Sequence, residues 1–504
     1  MSPKPTPRAV FPCALLPVAT LLFCVGCREI PLAREVGRDV DVVVVEPEPA
    51  GLSGARRQQH QDSFVQVWET VRDKHWDAEL NGLDWQAVRA EFEPQIAAAS
   101  SDDDVRQILG EMLSRIGESH YGIVPSSVYE DLAIVEDKPT KLAPNDRDAA
   151  GNVGDAPSDD GDDNDAETGD ATTAESKKQT PRSRSGKGTL GIEARVVNDM
   201  AYVFRVEEAS PAAAAGVRPG WSILEVDGRS LGKSLRRIRE HNQEATTQQL
   251  MLMSSVHGRM GGRVGDAVPV VFEGDGQRHE LELELAAPSG ESTRFGYMPE
   301  AHFRYHSKRL TKDVGYIHFN MFMDPVTLSS SFSESIEEFM DCPGLIIDVR
   351  GNPGGIGGMV MGMSGWLIDE SGRHLGVMKQ RVGEIHFAVF PRAETYPGRV
   401  AILIDGCSAS TAEIFAQGLR DLERARLFGR RTSGAALPSL FSALPNGDRF
   451  QYAVADYVSV NGHRIEGNGV NPDEPIAFDP EAFARGEDPD VAAALRWIGS
   501  RSGS

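Results

Sequence analysis

Ser408 and Ser410 stand in DGCSASTAEIF, residues 405–415, directly after the apolar run GRVAILI. A buried strand, a sharp turn of small residues and then a helix would display one of these hydroxyls at a helix N-terminus. There the helix dipole and free N–H groups stabilise an alkoxide or an oxyanion, so the chemistry on offer is nucleophilic acyl transfer. Ser410-Thr411-Ala412-Glu413 also has the spacing of a capping box, an ordinary helix start. A second stretch, GLIIDVRGNPGGIGG at 344–358, is a strand pattern ending in Asp348, Arg350 and a glycine-rich turn. Glycine permits φ > 0 and close approach of a substrate carbonyl. Gly354 or Gly355 would supply one oxyanion N–H and Thr411 the other. Asp348 and Arg350 are expected to pair beneath that turn.

The elements that must position these residues are legible from periodicity. VRQILGEMLSRI places Val105, Ile108, Leu109, Met112, Leu113 and Ile116 on one helical stripe, with SSDDD before it as cap and first-turn acids and Gly117 as its stop. DSFVQVWETVRDKHW repeats the pattern with Phe64, Val67, Trp68 and Val71. From 188, TLGIEARVV and MAYVFRV read as strands, SILEVDG as a strand closed by an Asp-Gly turn, and AVPVVFEGDGQRHELELELA as an alternating hairpin. From about 295 to 480, apolar strands alternate with helical stretches, an α/β pattern, and FQYAVADYVSV adds a strand near its end.

The chain has 504 residues, enough for several domains, and a formal net charge of −23, which argues against a nucleic-acid partner. Residues 145–175 hold eleven acids and one arginine. The segment 137–187 is too poor in apolar residues to offset ordering entropy and is expected to be disordered. Its DDGDDNDAE lacks the glycine and final glutamate of a calcium loop and reads as solvated acidic linker. No metal spacing and no cofactor motif is found.

The N-terminus has the form of an export signal: Lys4 and Arg8 precede AVFPCALLPVATLLFCVG. CVGC at 24–27 resembles a bacterial lipobox with Cys27 as lipid acceptor, although Cys24 stands where leucine is usual. The expectation is an exported protein of the cell envelope or periplasm, lipid-anchored to the membrane. Cys342 and Cys407 are expected to be two buried free thiols.

Taken in order, LIIDVRGNPGG, VAILIDGCSASTAEIFAQGL, LFGRRTSGAALP and IEGNGVNPDEPI resemble the tail-specific, C-terminal-processing serine peptidase family. NGLDWQAV fits it too. The resemblance implies an α/β protease core of the βαβ, crotonase-like type, with an N-terminal helical part and an inserted PDZ domain. It selects Ser410, the serine three before the glutamate, over Ser408. SPAAAAGVRPGWSILEVDG is the most PDZ-like stretch, with Trp221 where aspartate is usual, and Leu190, Gly191 and Ile192 would form its peptide-binding loop. The best-known branch of the family uses a Ser-Lys dyad with lysine after TxG. Here RTSGAAL puts Ala435 at that place, and the last lysine of the chain is Lys379. Arginine stays protonated and cannot replace it as a base. The tricorn-type branch uses Ser, His and Glu. RIGESHYGIV and RIEGNGVNPDEP match its pattern, which makes His120 the general base, with Ser119 and Glu466 orienting it. His463 and His318 are the competing histidines.

The resulting organisation is a signal peptide with lipobox at 1–27, a tether at 28–58, the N-terminal helical part at 59–136, the acidic linker at 137–187, a PDZ domain at 188–290, the peptidase core at 291–480 and a C-terminal helix and tail at 481–504. The expected function is an exported serine endopeptidase that cleaves peptides or loosely folded proteins selected by their C-terminal ends. The alternative, prompted by Ala435, is a non-catalytic PDZ-bearing adaptor or ligand-binding lipoprotein on a protease fold.

Overall fold

The computed structural model describes residues 52–126, 186–241 and 246–500. The expected signal peptide with Cys27, most of the tether and nearly all of the acidic linker lie outside these residues. No helix among the described residues is long and apolar enough to cross a membrane.

Helices α1 (Gly54–Lys74), α2 (Trp85–Ala98) and α3 (Asp102–Ser114) open the fold. The first begins inside the expected tether, capped by the Ser53 side chain on the Arg56 N–H. Ser101 caps α3 from its own hydroxyl, and three aspartates occupy the first turn, where the helix dipole favours negative charge. Trp68 and Trp85 exchange indole-to-carbonyl hydrogen bonds of 2.9 and 3.0 Å, which fixes α1 against α2. The helices bury their apolar stripes against Leu444 and Phe450, more than 300 residues later in the chain. The strand Gly122–Val124 follows α3 and pairs antiparallel with Arg449–Ala453. A buried latch reinforces the joint: Arg106 pairs with Asp448 at 2.9 Å, and His60 bonds Asp102 and Asn446.

Residues 188–286 form a unit with its own core. Its antiparallel sheet runs in the order Ile192–Val197, Met200–Val206, Ser222–Val226, Ala267–Gly274, Gln277–Glu284. Ala194, Val203, Ile223, Val270 and Phe272 fill the interior against the helix Gln248–Met260. The Asp-Gly turns behave as read, with positive φ at Asp227, Gly228, Asp275 and Gly276.

The central sheet has six strands: β1 (Tyr305–Thr311), β2 (Val314–Phe319), β3 (Gly344–Asp348), β4 (Arg399–Ile404), β5 (Ala425–Gly429) and β6 (Glu474–Pro475). The β1–β2 pair is antiparallel and every later neighbour is parallel. Leu345 and Ile347 of β3 face the core with α4 (Pro325–Glu338) and α5 (Thr411–Asp421), while Ile346 faces α6 (Pro489–Gly499). Helices on both faces explain why β3 and β4 read as unbroken apolar runs rather than alternating ones. FQYAVADYVSV is two strands, not one. Arg449–Ala453 joins the sheet with Gly122–Val124, and Ala455–Ser459 joins another with His374–Gln380. Phe450 buries against the N-terminal helices and Ala455 and Tyr457 in the central core, so both halves carry apolar residues and periodicity alone could not mark the break at Val454.

Beneath the C-terminal end of β3 lies a charge hub. Arg350, 2% exposed, holds Asp348 at 2.7 Å and Asp490 and Asp488 at 2.8 Å each. Arg205 of the inserted unit also reaches Asp348, at 3.1 Å. The hub thus clamps β3, α6 and the inserted unit together. Removing one partner of a buried ion network leaves uncompensated charge, so Arg350→Met is expected to destabilise the fold by about 3–5 kcal/mol. Urea denaturation is the check; a loss below about 1 kcal/mol would show that the aspartates find water instead.

Candidate active site

The C-terminal ends of β3, β4 and β5 open into three loops that meet, the usual place for a site on a parallel sheet. After β4, Ser408 is committed to structure. Its hydroxyl donates to the Val349 carbonyl at 2.7 Å and accepts the Asp405 N–H at 3.0 Å. Ser410 is the N-cap of α5 with φ 55° and ψ −120°. Ordinary N-caps are extended and the left-handed basin lies at positive ψ, so this backbone is strained, at a cost of about 1–3 kcal/mol. The Ser410 N–H is shared between the Glu413 carboxylate at 2.9 Å and the Ala435 carbonyl at 2.8 Å.

The glycine turn after β3 packs directly on this serine. A Cβ on Gly354 (φ 96°) would sit 2.7 Å from Ser410 Cβ, and one on Gly355 (φ 145°) 2.1 Å from the Phe322 carbonyl oxygen. Neither position can carry a side chain. The Gly354 N–H is already donated to Asn352 Oδ1 at 2.9 Å. The Gly355 and Thr411 N–H groups have no acceptor among the described residues. Thr411 Oγ1 donates to the Gly355 carbonyl at 2.9 Å, which keeps the two donors adjacent. An oxyanion facing Ser410 therefore finds Gly355 and Thr411, with Gly354 serving as the close-packed hinge of the turn.

His120 lies between α3 and the strand Gly122–Val124, buried and itself left-handed at φ 67°. Its Nδ1 contacts Ser119 Oγ. Ser119 gives its hydroxyl to Glu466 Oε2 at 2.8 Å and its N–H to Oε1 at 2.7 Å, and the Ala436 N–H reaches Oε2 at 2.9 Å. Since Ser119 spends its proton on Glu466, His120 must donate from Nδ1, which leaves Nε2 as a bare lone pair. That Nε2 is buried without a hydrogen-bond partner among the described residues, so it is not bonded to Ser410 in this conformation. Burial pushes His120 down to about 3 and Glu466 up to about 7. A clasp not anticipated from sequence fixes this half of the site. Glu118 accepts from Arg464 at 2.9 Å, from Trp76 at 3.1 Å and meets His75 at 3.1 Å, holding the segment before His120 to the segment before Glu466.

The two competing histidines, His463 and His318, are occupied. His463 Nε2 meets the Gly469 carbonyl at 2.8 Å, and His318 Nδ1 meets the Asp348 carbonyl at 3.0 Å. Ala435, at the lysine position of the Ser-Lys branch, is fully buried and uses its backbone for Ser410 and Glu413. Cys342 and Cys407 are free and buried.

Leu190 and Gly191 precede the strand that begins at Ile192, with Gly191 at φ 71° and its N–H on Thr189 Oγ1 at 3.1 Å. They lead into Ile192–Val197, an edge of the inserted unit's sheet beside the helix Gln248–Met260. At Ala194 that edge is taken: its N–H donates to His257 Nε2 at 3.1 Å and its carbonyl accepts from Arg195 at 2.9 Å.

Residues 313–476 match the profile of peptidase family S41, and residues 56–114 match that of the tricorn protease C1 domain. The chain is 23% identical to a probable CtpA-like serine protease of Staphylococcus haemolyticus over 57% of this chain and 52% of that protein, so it spans about half the length of that relative. It is 23% identical to a carboxyl-terminal-processing protease of a Picosynechococcus species, over 84% of this chain and 85% of that one. Among solved structures, the photosystem II D1 C-terminal processing protease shares the fold at 18% identity and TM-score 0.52, covering 88% of this chain and 97% of that one. Mature CPAF complexed with lactacystin does so at 14% and 0.53, covering 88% and 98%.

The buried Glu466 has a measurable signature. Its folded form holds a proton up to about pH 7, above the usual 4.5, whereas the unfolded chain has released it. This group therefore costs stability progressively as pH rises through that window and at full value above it. Glu466→Gln lacks the titration. Its stability deficit against the wild type is expected to shrink by on the order of 3 kcal/mol between pH 4 and pH 8 in urea melts. A deficit that stays constant or widens would contradict the assignment.

Proposed function

The chain belongs to peptidase family S41, and from that premise we propose that it is a serine endopeptidase with Ser410 as nucleophile and His120 as general base. The observation that carries this reading is the pairing of a strained, helix-capping Ser410 beside two unused N–H groups with an imidazole whose tautomer leaves Nε2 bare. His120 Nε2 takes the Ser410 proton as Oγ bonds to the scissile carbonyl carbon. Gly355 and Thr411 N–H hold the resulting oxyanion. The carbon–nitrogen bond then breaks, and His120 returns the proton to the leaving amine. Water, deprotonated by the same nitrogen, adds to the acyl carbon of the Ser410 ester, and His120 returns that proton to Ser410 Oγ as the bond breaks and the carboxylic acid product leaves. Ser119 and Glu466 stabilise the imidazolium that forms in each half. Because His120 and Ser410 are not bonded at rest, substrate has to bring them together, and catalytic hydrogen bonds commonly tighten only in the complex.

Residues 188–286 are read as a PDZ-like unit that receives polypeptide ends near Leu190–Ile192. A tail added as a strand would have to displace His257 and Arg195 from Ala194. The substrate class on this reading is peptides or unfolded protein, presented to a protein exported to the cell envelope and held there by Cys27. The unbonded His120 Nε2, together with Ala435, favours one other reading, a non-catalytic adaptor on the same fold.

Labelling with a fluorophosphonate probe separates the two. Wild-type protein is expected to react at Ser410, Ser410→Ala not at all, and His120→Ala at least about a hundredfold more slowly. Equal labelling of Ser410→Ala would remove the serine from its role. Absence of wild-type labelling with peptide-tail binding intact would select the adaptor.

A further inference from the structure

Glu413 has the spacing of a helix cap, but its surroundings are not those of one. A cap at the third helical position reaches back from the surface to a single N–H. Glu413 is fully buried and each of its oxygens takes two donors. Oε2 accepts the N–H of Ser410 at 2.9 Å and of Ala435 at 3.1 Å. Oε1 accepts the N–H of Gly434 at 2.7 Å and the hydroxyl of Thr432. Thr432 in turn receives the Val470 N–H on that hydroxyl at 2.7 Å, so its proton is committed to Glu413. All four acceptor directions of the carboxylate are filled by donors, an arrangement that only the anion satisfies.

Three of those donors come from one short segment, 432–435, whose next residue, Ala436, donates to Glu466. The segment therefore spans from the nucleophile's carboxylate to the base's carboxylate. Nothing in the preferences of serine favours φ 55° and ψ −120°. The shared N–H bond to Glu413 and Ala435 is the contact that holds it there.

On the reading of Ser410 as nucleophile, we infer that Glu413 is a positioning residue. It keeps Ser410 in its strained backbone and locks segment 432–436 in register, so that nucleophile and base face one another. It touches no reacting atom. In a chain with Ala435 where a dyad lysine would stand, this carboxylate supplies the link between the nucleophile helix and that segment.

Glu413→Gln in the full-length chain tests this, because the amide keeps the shape but turns two N–H groups toward existing donors. The turnover of an unfolded-protein substrate is expected to fall about tenfold to hundredfold in kcat, with KM nearly unchanged. The probe-labelling rate of Ser410 should fall in parallel, and amide hydrogen exchange at Ser410, Gly434 and Ala435 should accelerate. Thr432→Val, which removes one donor of four, should show the same pattern more weakly, and it decides the matter if the glutamine variant does not fold. Wild-type kcat and wild-type exchange in a folded variant would overturn the inference. The exchange arm stands apart from activity. If the wild type proves unreactive, the peptidase reading falls, while accelerated exchange in Glu413→Gln upholds the positioning role and unchanged exchange rejects it.

Discussion

A carboxylate removed from water has to be given donors, and four such groups organise this molecule. Asp348 takes three bonds from Arg350, one from Arg205 and one from the Tyr316 hydroxyl. Asp405 takes the N–H of Gly351 and of Cys407, and Arg195 at 2.6 Å. Glu413 and Glu466 draw on the segment after β5. Asp348 ends a strand and Asp405 follows one, Glu413 opens a helix and Glu466 lies in a turn, and Glu413 and Glu466 share one loop, 432–436, as a source of donors. Satisfying them forces the glycine turn, the nucleophile turn and segment 432–436 into contact. Burial would raise Asp348 and Asp405, yet their arginines hold both below the usual carboxylate range. Glu413 and Glu466 have no cation and rise to about 7. The pair with arginines fastens the scaffold, and the pair without them titrates closer to neutral pH, beside Ser410 and His120.

The two chemical halves come from opposite ends of the chain. Ser410 is carried by the parallel sheet and His120 by the helical layer, which α1–α3 packing on Leu444 and Phe450, the strand Gly122–Val124 and the Glu118–Arg464 clasp hold against the core. The latch of His60, Asp102, Arg106 and Asp448 is therefore part of what sets the base, although it lies outside the site. The inserted unit touches the same machinery. Phe204 lies under the guanidinium groups of Arg195 at 4.1 Å and Arg350 at 5.0 Å, between the two scaffold acids. Both candidate residues are non-glycines at positive φ, strain that the dense hydrogen bonding around them sustains.

Much of this was legible in the sequence because it rests on local rules. The stripe of α3, its serine cap and acidic first turn, the Asp-Gly hairpins and the buried runs of β3 and β4 all follow from periodicity and turn chemistry. So does the pairing of Asp348 with Arg350. What could not be read was where polar groups end. The SxxE spacing announced a cap at Glu413, but three of its four donors lie about twenty residues on. Gly354 and Gly355 were equivalent as letters, and only Asn352 Oδ1 distinguishes them. The Glu118–Arg464 clasp joins positions separated by 346 residues, with no periodic signal to betray it. The break at Val454 was hidden because both halves of that run are apolar for different sheets.

The candidate base carries the sharpest constraint. An imidazole pushed down to about 3 is neutral at any ordinary pH, which is the form a general base needs, but it also grips a proton weakly. Burial disfavours the imidazolium and nothing charged lies beside the ring to offset it. On the proposed reading, the compensation comes through Ser119: as His120 gains a proton on Nε2, its Nδ1–H strengthens toward Ser119 Oγ, whose own proton is held by Glu466. That relay stabilises the cation only while Glu466 is ionised, and the carboxylate is itself held near 7 by burial. Base strength at His120 is then a property of the chain His120–Ser119–Glu466, not of the imidazole. A lysine dyad needs no such chain. On the same reading, with Ala435 at the lysine place, Ser119 and Glu466 are what make a buried histidine basic at the moment it must be.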